Sequence, residues 1–394
     1  MIKISPKIFI SFANNMKAMK FPFYILLALI VLPFFTQAQE TALDSIRKSK
    51  KYGIPIISYS PETSLRFGIV GIYLFRTNNK NLDTQLSSLR TPITYTINRQ
   101  IKLGISYDIF LNENKHIFTG QAEWLSFPLS FWGVGSDTPD EAEELFTTET
   151  GNIQFSYFCL LKNSLYIGGQ LNYINSVISE KETGGLLASD GSIPGNNGGA
   201  STGLGLSFRY DKRDNYLNAS TGPFLEGTIT YNRQAFGGDF DYTKLVLDGR
   251  HFFKVNGGHI LAFQAFSEYN WGSPPFEQMA LLGGKTIMRG HYLGRFRDNA
   301  SGAVQAEYRL PLGRKTWLAG DDKLKFWQRW GLIGFFGLGN VGSTYADLFN
   351  GKWKYSMGVG VRVMILPEEQ INFRLDFGFG TQTPGFYFNI REAF

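Results

Sequence analysis

A chain of 394 residues with 15% aromatics and 44 glycines, but only 43% hydrophobic side chains, does not read as a string of soluble domains. A soluble core has no use for so many rings, whereas a sheet with one greasy face, one wet face and aromatic girdles at two water boundaries does. The formal charge of +6 shrinks to +2 once residues 1–38, with four lysines and no acid, are set aside, so nucleic acid is not implied.

Residues 1–38 read as a signal peptide. Lys17 and Lys20 precede a 15-residue apolar run, Phe21 to Phe35, and Thr36-Gln37-Ala38 supplies small residues for cleavage. Such a run is too short for a comfortable membrane-spanning helix. Residues 39–52 then read as a short basic periplasmic tail, with no room for a separate soluble domain before the barrel begins at Gly53.

From Gly53 onward the hydrophobic period is two, broken by turn residues every ten to fifteen positions. The pattern predicts about sixteen strands: 53–60, 64–76, 88–98, 101–111, 115–127, 150–162, 164–177 and 200–212 in the first half. The second half gives 222–235, 240–255, 257–271, 301–311, 327–339, 353–364, 369–379 and 384–394. Most are long enough to cross a bilayer at a tilt. Counting outward from residue 53, the long connections 128–149, 178–199, 272–300 and 340–352 all fall on one side, and tight turns such as Asn112-Glu113-Asn114 on the other. Two connections, 77–87 and 312–326, are long for the turn side, which suggests a misplaced strand boundary. Only a closed sheet satisfies its backbone in lipid. The expected fold is therefore an all-β transmembrane antiparallel β-barrel of about sixteen strands, with one long loop folded inward.

That loop reads Gly283-Gly284-Lys285-Thr286-Ile287-Met288-Arg289-Gly290-His291-Tyr292, and the strand after it runs Ala303 to Pro311. On this strand Val304, Ala306, Tyr308 and Leu310 share the lipid face, while Gln305, Glu307 and Arg309 face inward. Further on, Ile371, Phe373, Leu375, Phe377 and Phe379 share one face, and Asn372, Arg374, Asp376 and Gly378 the other. At the end of the chain, Phe386, Phe388, Ile390 and Phe394 form one face, with Glu392 the exception.

Catalytic patterns are weak. Gly199-Ala200-Ser201-Thr202-Gly203 fits G-x-S-x-G, but it leaves a Gly/Asn-rich loop and enters a strand, where a hydrolase needs a strand–turn–helix elbow. Gly284-Lys285-Thr286 lacks the first glycine of a phosphate loop and no helix follows. His116, His251, His259, His291 and the single Cys159 show no zinc spacing. The chain is read as a non-enzyme without cofactor or metal.

Several segments together resemble the bacterial surface antigen barrel of BamA/TamA-type outer-membrane proteins, a superfamily that includes two-partner secretion transporters. Phe131-Trp132-Gly133-Val134-Gly135-Ser136-Asp137-Thr138 resembles its third outer loop, and Arg209-Tyr210-Asp211-Lys212-Arg213-Asp214-Asn215 a characteristic periplasmic turn. Met288-Arg289-Gly290-His291-Tyr292 is similar to the Arg-Gly-aromatic tip of the sixth outer loop, with His291 inserted, and Glu307-Tyr308-Arg309 to the strand that follows. The resemblance implies a lumenal lock in which Arg289, flanked by Gly290 and Tyr292, binds inner-wall acids. Glu307 is the first choice, and Asp376 stands in for a second acid where the next strand offers only Gly337. It also implies a seam between first and last strands, here marked by Pro55 in a short first strand and by Phe394. The implied role is protein or lipid insertion or translocation at the outer membrane, in contact with outer-membrane lipid and with a separate periplasmic or lipoprotein partner. The alternative is a passive pore or solute channel.

Overall fold

The computed structural model describes residues 49–394 apart from 61–63, 79–83, 189–192, 256–257, 314–324, 368–369 and 382–384. The expected signal peptide and residues 39–48 of the expected tail lie outside the described residues, while Lys50–Tyr52, expected as tail, belong to the first strand. Sixteen antiparallel strands form one sheet in which each strand pairs with its neighbours in sequence. In the first half these are β1 (Lys50–Ser60), β2 (Ser64–Phe75), β3 (Ser87–Thr96), β4 (Ile101–Leu111), β5 (His116–Phe131), β6 (Glu144–Lys162), β7 (Leu165–Ser179) and β8 (Gly198–Asp211). β9 (Gly222–Asn232), β10 (Tyr242–Lys254) and β11 (Ile260–Gly272) follow. Two three-residue strands, β12 (Ala280–Leu282) and β13 (Phe296–Asp298), pair with each other inside the long loop. The wall then resumes with β14 (Ala300–Pro311), β15 (Trp330–Gly342), β16 (Lys354–Leu366), β17 (Ile371–Phe379) and β18 (Gly385–Ile390).

The sheet is a nearly closed barrel. β1 and β18 lie beside each other, yet the hydrogen-bonded order runs only from one to the other, and no ladder among the described residues joins the two ends. Every other neighbouring pair of strands is joined by a ladder, interrupted only locally, by register shifts at Leu160/Lys162 and Met364/Leu366 and by a gap at Thr91-Pro92, as a lipid environment requires of backbone N–H and C=O groups.

Alternation decides which side chains meet lipid. On β8 the outward Leu204, Leu206 and Phe208 are 47%, 67% and 39% exposed, while Ser201 and Ser207 point inward and are buried. On β17 the inward set is Asn372, Arg374 and Asp376, all buried. The inner wall carries ion pairs between neighbouring strands, among them Lys102–Glu123 (2.5 Å), Arg209–Glu226 (2.5 Å) and Lys244–Glu268 (2.6 Å).

The structure corrects several strand limits. β1 starts at Lys50 and pairs along all eleven residues with β2, so the first strand is not short. β5 and β6 extend to Phe131 and back to Glu144, which narrows the loop expected at 128–149 to 132–143. These extensions rise into a cap of loops, where Phe131 and Phe146 pack with Ile178, Leu187, Ile193 and Phe276 instead of meeting lipid. Around the connections expected at 77–87 and 312–326, β2 ends at Phe75 and β3 begins at Ser87, while β14 ends at Pro311 and β15 begins at Trp330, three residues later than expected, and the strand count stays at sixteen. The first connection folds against the next hairpin, with Thr77 Oγ1 donating to the Phe110 carbonyl (2.6 Å) and the Gln85 N–H to Asn114 Oδ1 (2.7 Å).

β18 ends at Ile390, four residues short of the expected limit. Arg391 takes a positive φ of 75° and turns the chain away from the wall. Glu392, the odd residue in the alternating pattern, therefore faces the interior, and Phe394 lies in a buried cluster with Ala219, Phe252, Ile260 and Met364 and not on the seam. Ser201 is a buried strand residue of β8 without an elbow around it.

Candidate functional site

The centre of the barrel is a buried cluster of charge. Arg289, carried by the loop between β12 and β13, places Nη2 2.7 Å from Glu307 on β14 and Nη1 2.6 Å from Asp376 on β17. All three side chains are fully buried. The guanidinium lies over the Phe335 ring at 3.7 Å, on β15 next to the strand of Glu307. A planar fork is the one cationic group that reaches two carboxylates in different directions and still stacks on a ring.

Three further arginines complete the cluster. Arg309 Nε sits 2.8 Å from Glu307, Arg374 Nη1 3.1 Å from Asp376, and Arg362 Nε 2.8 Å from Glu392. Four arginines thus face three carboxylates, Glu307, Asp376 and Glu392. Alternation already turned Arg309 and Arg374 inward. Arg362 was legible as well, as a lone charge in the apolar run Val361–Val363 of β16. Glu392 was not, because its inward turn depends on the backbone of Arg391.

The loop backbone is held as firmly as its arginine. The Gly290 N–H donates to the Tyr387 hydroxyl (3.0 Å), which itself donates to the His291 carbonyl (3.1 Å). The Met288 N–H donates to Gln305 Oε1 (2.9 Å), and the Arg374 guanidinium to the Lys285 carbonyl (2.8 Å). Ser356 donates to the Arg289 carbonyl. Gly290 has φ 111°, and a Cβ there would lie 2.4 Å from the carbonyl carbon of Phe379. Gly378 opposes it, with its own Cβ direction 2.9 Å from Arg289 backbone. Glycine is needed at both positions because loop and wall touch backbone to backbone. Gly290→Ala is expected to cost about 1–3 kcal/mol from its backbone alone, with the clash added. Limited proteolysis of the folded protein should then cut within 283–294, where the parent resists.

Tyr292 faces away from the acids. Its ring lies 5.7 Å from Trp132 in the loop 132–143. Beside it Arg295 donates to the Thr138 hydroxyl (2.6 Å) and carbonyl (2.8 Å) and pairs with Asp140 (2.8 Å). The Gly135 N–H donates to the Arg297 carbonyl (2.8 Å). The two stretches singled out in the sequence are therefore one interlocked unit.

Residues 79–394 match the Omp85 superfamily domain, about four fifths of the chain. The chain belongs to the Omp85 superfamily. Among solved structures the Omp85 barrel is similar to BamA from Haemophilus ducreyi lacking POTRA domains 1-3, with 12% identity and a TM-score of 0.53, covering 86% of this chain and 69% of that one. It is also similar to CdiB from Escherichia coli, with 11% identity and a TM-score of 0.56, covering 90% of this chain and 63% of that one. No curated protein matches the sequence. At these identities the likeness shows the fold, which is that of an outer-membrane protein of a Gram-negative bacterium. Long connections of such barrels face the exterior and short turns the periplasm.

The periplasmic end of this Omp85 barrel is spanned by the turn 212–221, the Arg-Tyr-Asp-Lys-Arg-Asp-Asn segment. Asp211 and Arg213 form a two-bond pair (2.9 and 2.6 Å), and the Asp214 carboxylate accepts from the Ser220 (2.8 Å) and Thr221 (3.1 Å) N–H groups. So stiffened, the turn reaches strands on both sides of the barrel. Tyr216 donates to the Leu86 carbonyl (2.7 Å) and packs on Phe110, and Asn215 donates to Gln370 (3.0 Å). Ala219 sits in the cluster with Phe394. Arg309 donates to both the Ala219 (3.3 Å) and the Phe394 (2.9 Å) carbonyls. One buried cluster therefore holds the outer loop, the periplasmic turn and the chain's last residues.

Proposed function

We propose that the barrel takes part in inserting or translocating protein or lipid at the outer membrane, together with a separate periplasmic or lipoprotein partner, and that the lock formed by Arg289, Gly290, Tyr292, Glu307 and Asp376 keeps the loop as an internal strut. The observation that supports this reading is a contrast. The lumen is occupied by the loop and spanned at its periplasmic end by 212–221, while among the described residues the wall lacks a ladder at one place, between β1 and β18. A passive pore needs the reverse, an open axis and a sealed wall. Pro55 adds to the weakness of the seam: it stands mid-strand opposite Ile69 and has no N–H to give to either neighbour. Such a seam suits a barrel that exposes its wall to clients in the membrane plane. A catalytic role is not part of the reading.

The test is a covalent staple. In a Cys159→Ser background, one cysteine within Gly53–Ile57 and one within Phe386–Asn389 are scanned pairwise for disulfide formation across the seam. Loss of the cellular function in the oxidised pair, with recovery on reduction, is the expected result. Unchanged function with a quantitative disulfide would overturn the proposal.

A further inference from the structure

The connection between β15 and β16 holds a short helix, Tyr345–Asn350, that packs on the outside of the barrel. Its start is fixed by a reciprocal cap: the Thr344 N–H donates to Asp347 Oδ2 (2.9 Å) and the Asp347 N–H to Thr344 Oγ1 (3.4 Å). The strand register shows where it lies. Gly302 is aligned with Asn340 and Ala300 with Gly342, on the same face as Val304, which is 51% exposed on the lipid side. Yet Ala300 and Asn340 are fully buried. The helix covers them. Asn340 Nδ2 donates to the Leu348 carbonyl (2.9 Å), and Cβ positions at Gly302 and Gly342 would meet Leu348 (3.5 Å) and Asp347 (2.7 Å). Tyr345 stacks on Tyr269 of the outer wall of β11 at 4.6 Å.

This placement accounts for an otherwise unfavourable stretch of wall. Glycines and an asparagine facing acyl chains would leave a polar amide and bare backbone in lipid. The helix satisfies the amide and replaces that surface with its own. Its free side presents Phe349, 73% exposed, beside Trp353 at 6.3 Å. Tyr355 and Met357 follow Trp353 on the lipid-facing side of β16, and on the other flank Tyr345 leads through Tyr269 to Trp271 (4.5 Å); these three wall residues, Tyr355, Met357 and Trp271, are each 40–45% exposed. Its polar side faces the loops: Lys352 pairs with Asp137 (3.0 Å), and hydrogen bonds from Ser343 and Thr344 hold the Asp347 carboxyl below its ordinary range, hence charged.

We propose that helix 345–350 is a membrane-surface element that seats Phe349 and Trp353 in the outer leaflet, at the boundary between headgroups and acyl chains. Aromatic side chains prefer that depth, and an amphipathic helix lying in the interface plane presents its apolar face in this way. The occupant of this face is lipid, because the face is continuous with the band that lipid already covers. The helix fixes the depth of the outer rim over β14 and β15, the strands that carry Glu307 and Phe335.

Reconstitution in phosphatidylcholine vesicles tests this. In a Cys159→Ser background, F349C and W353C carry an environment-sensitive fluorophore, with L206C as a mid-wall lipid reference and E141C as a solvent reference. Folding of each labelled protein is checked by heat-modifiable gel migration. The expected result is strong quenching by lipids spin-labelled near the headgroup, weaker quenching by chain-end labels, and protection from aqueous iodide relative to E141C. Iodide quenching equal to that of E141C, with none from lipid labels, would overturn the proposal. Protection from both quenchers would overturn it equally, by pointing to a protein on this face.

Discussion

Glu307→Ala is expected to destabilise the barrel far more than Arg289→Ala, although the two side chains touch. The reason lies in the count of charges around them. Arg289, Arg309, Arg362 and Arg374 oppose Glu307, Asp376 and Glu392, all essentially without solvent. Removing Arg289 leaves three cations and three anions. Glu307 keeps Arg309 at 2.8 Å, and Asp376 keeps Arg374 at 3.1 Å, so no carboxylate is stranded. Removing Glu307 leaves four arginines against two acids: Arg289 keeps only Asp376, and Arg309 loses its carboxylate at 2.8 Å and keeps only Glu392 at 3.9 Å. Removing one partner of a buried ion pair in this way costs on the order of 3–5 kcal/mol. Urea unfolding of vesicle-reconstituted protein should therefore show a large loss for Glu307→Ala and a small one for Arg289→Ala. Protease accessibility should show the opposite order for the loop, since Arg289→Ala removes the loop's own anchor from a wall that remains intact. Arg289→Lys should behave as Arg289→Ala in the protease assay, because an ammonium does not bridge two carboxylates and stack on Phe335 as the guanidinium does. A larger unfolding penalty for Arg289→Ala than for Glu307→Ala would refute the charge argument.

What made part of this arrangement legible in advance is the strict period of a strand. Once Val304 and Tyr308 are assigned to lipid, Glu307 has no choice but the interior, and the same reasoning turns Arg374 and Asp376 inward. Sixteen strands in sequential order follow from turn residues and alternation, because an up-and-down barrel asks only for local pairings. The pattern fails where the chain leaves the bilayer. In the strand extensions 128–131 and 144–149, Phe131 and Phe146 are buried under loops while Leu145 stays exposed, so the segment looks like neither a lipid face nor a loop. It fails again at the C-terminus, where a positive φ at Arg391 reverses the facing of everything beyond it. An arginine gives no sign of that conformation, which local sequence signals reserve for glycine and asparagine. The contacts between 212–221 and Phe394 or Leu86 were also beyond reach, because they join strands far apart in sequence around the mouth of a tube whose curvature no local pattern encodes.

Those contacts lead to an expected result that separates the two functional readings. The axis of the barrel has two obstructions in series, the locked loop with its cap at the outer end and the turn 212–221 with residues 391–394 at the periplasmic end. Resistances in series are governed by whichever remains, so removing one obstruction leaves the other in control. In planar bilayers the parent protein should conduct weakly. Deleting 284–294 alone should change little, and replacing 215–220 by a glycine–serine linker alone should also change little. The combination should give a large, stable, ohmic conductance, well above the sum of the two single changes. Salt should raise it in proportion, since inner-wall pairs such as Lys102–Glu123 and Lys244–Glu268 leave the lumen lined with nearly balanced charge. A passive channel predicts otherwise: substantial conductance in the parent and a stepwise increase with loop deletion alone. If the loop deletion opens the barrel by itself, the periplasmic turn does not span the mouth as a barrier, and a blocked axis no longer favours a seam-based role over a pore.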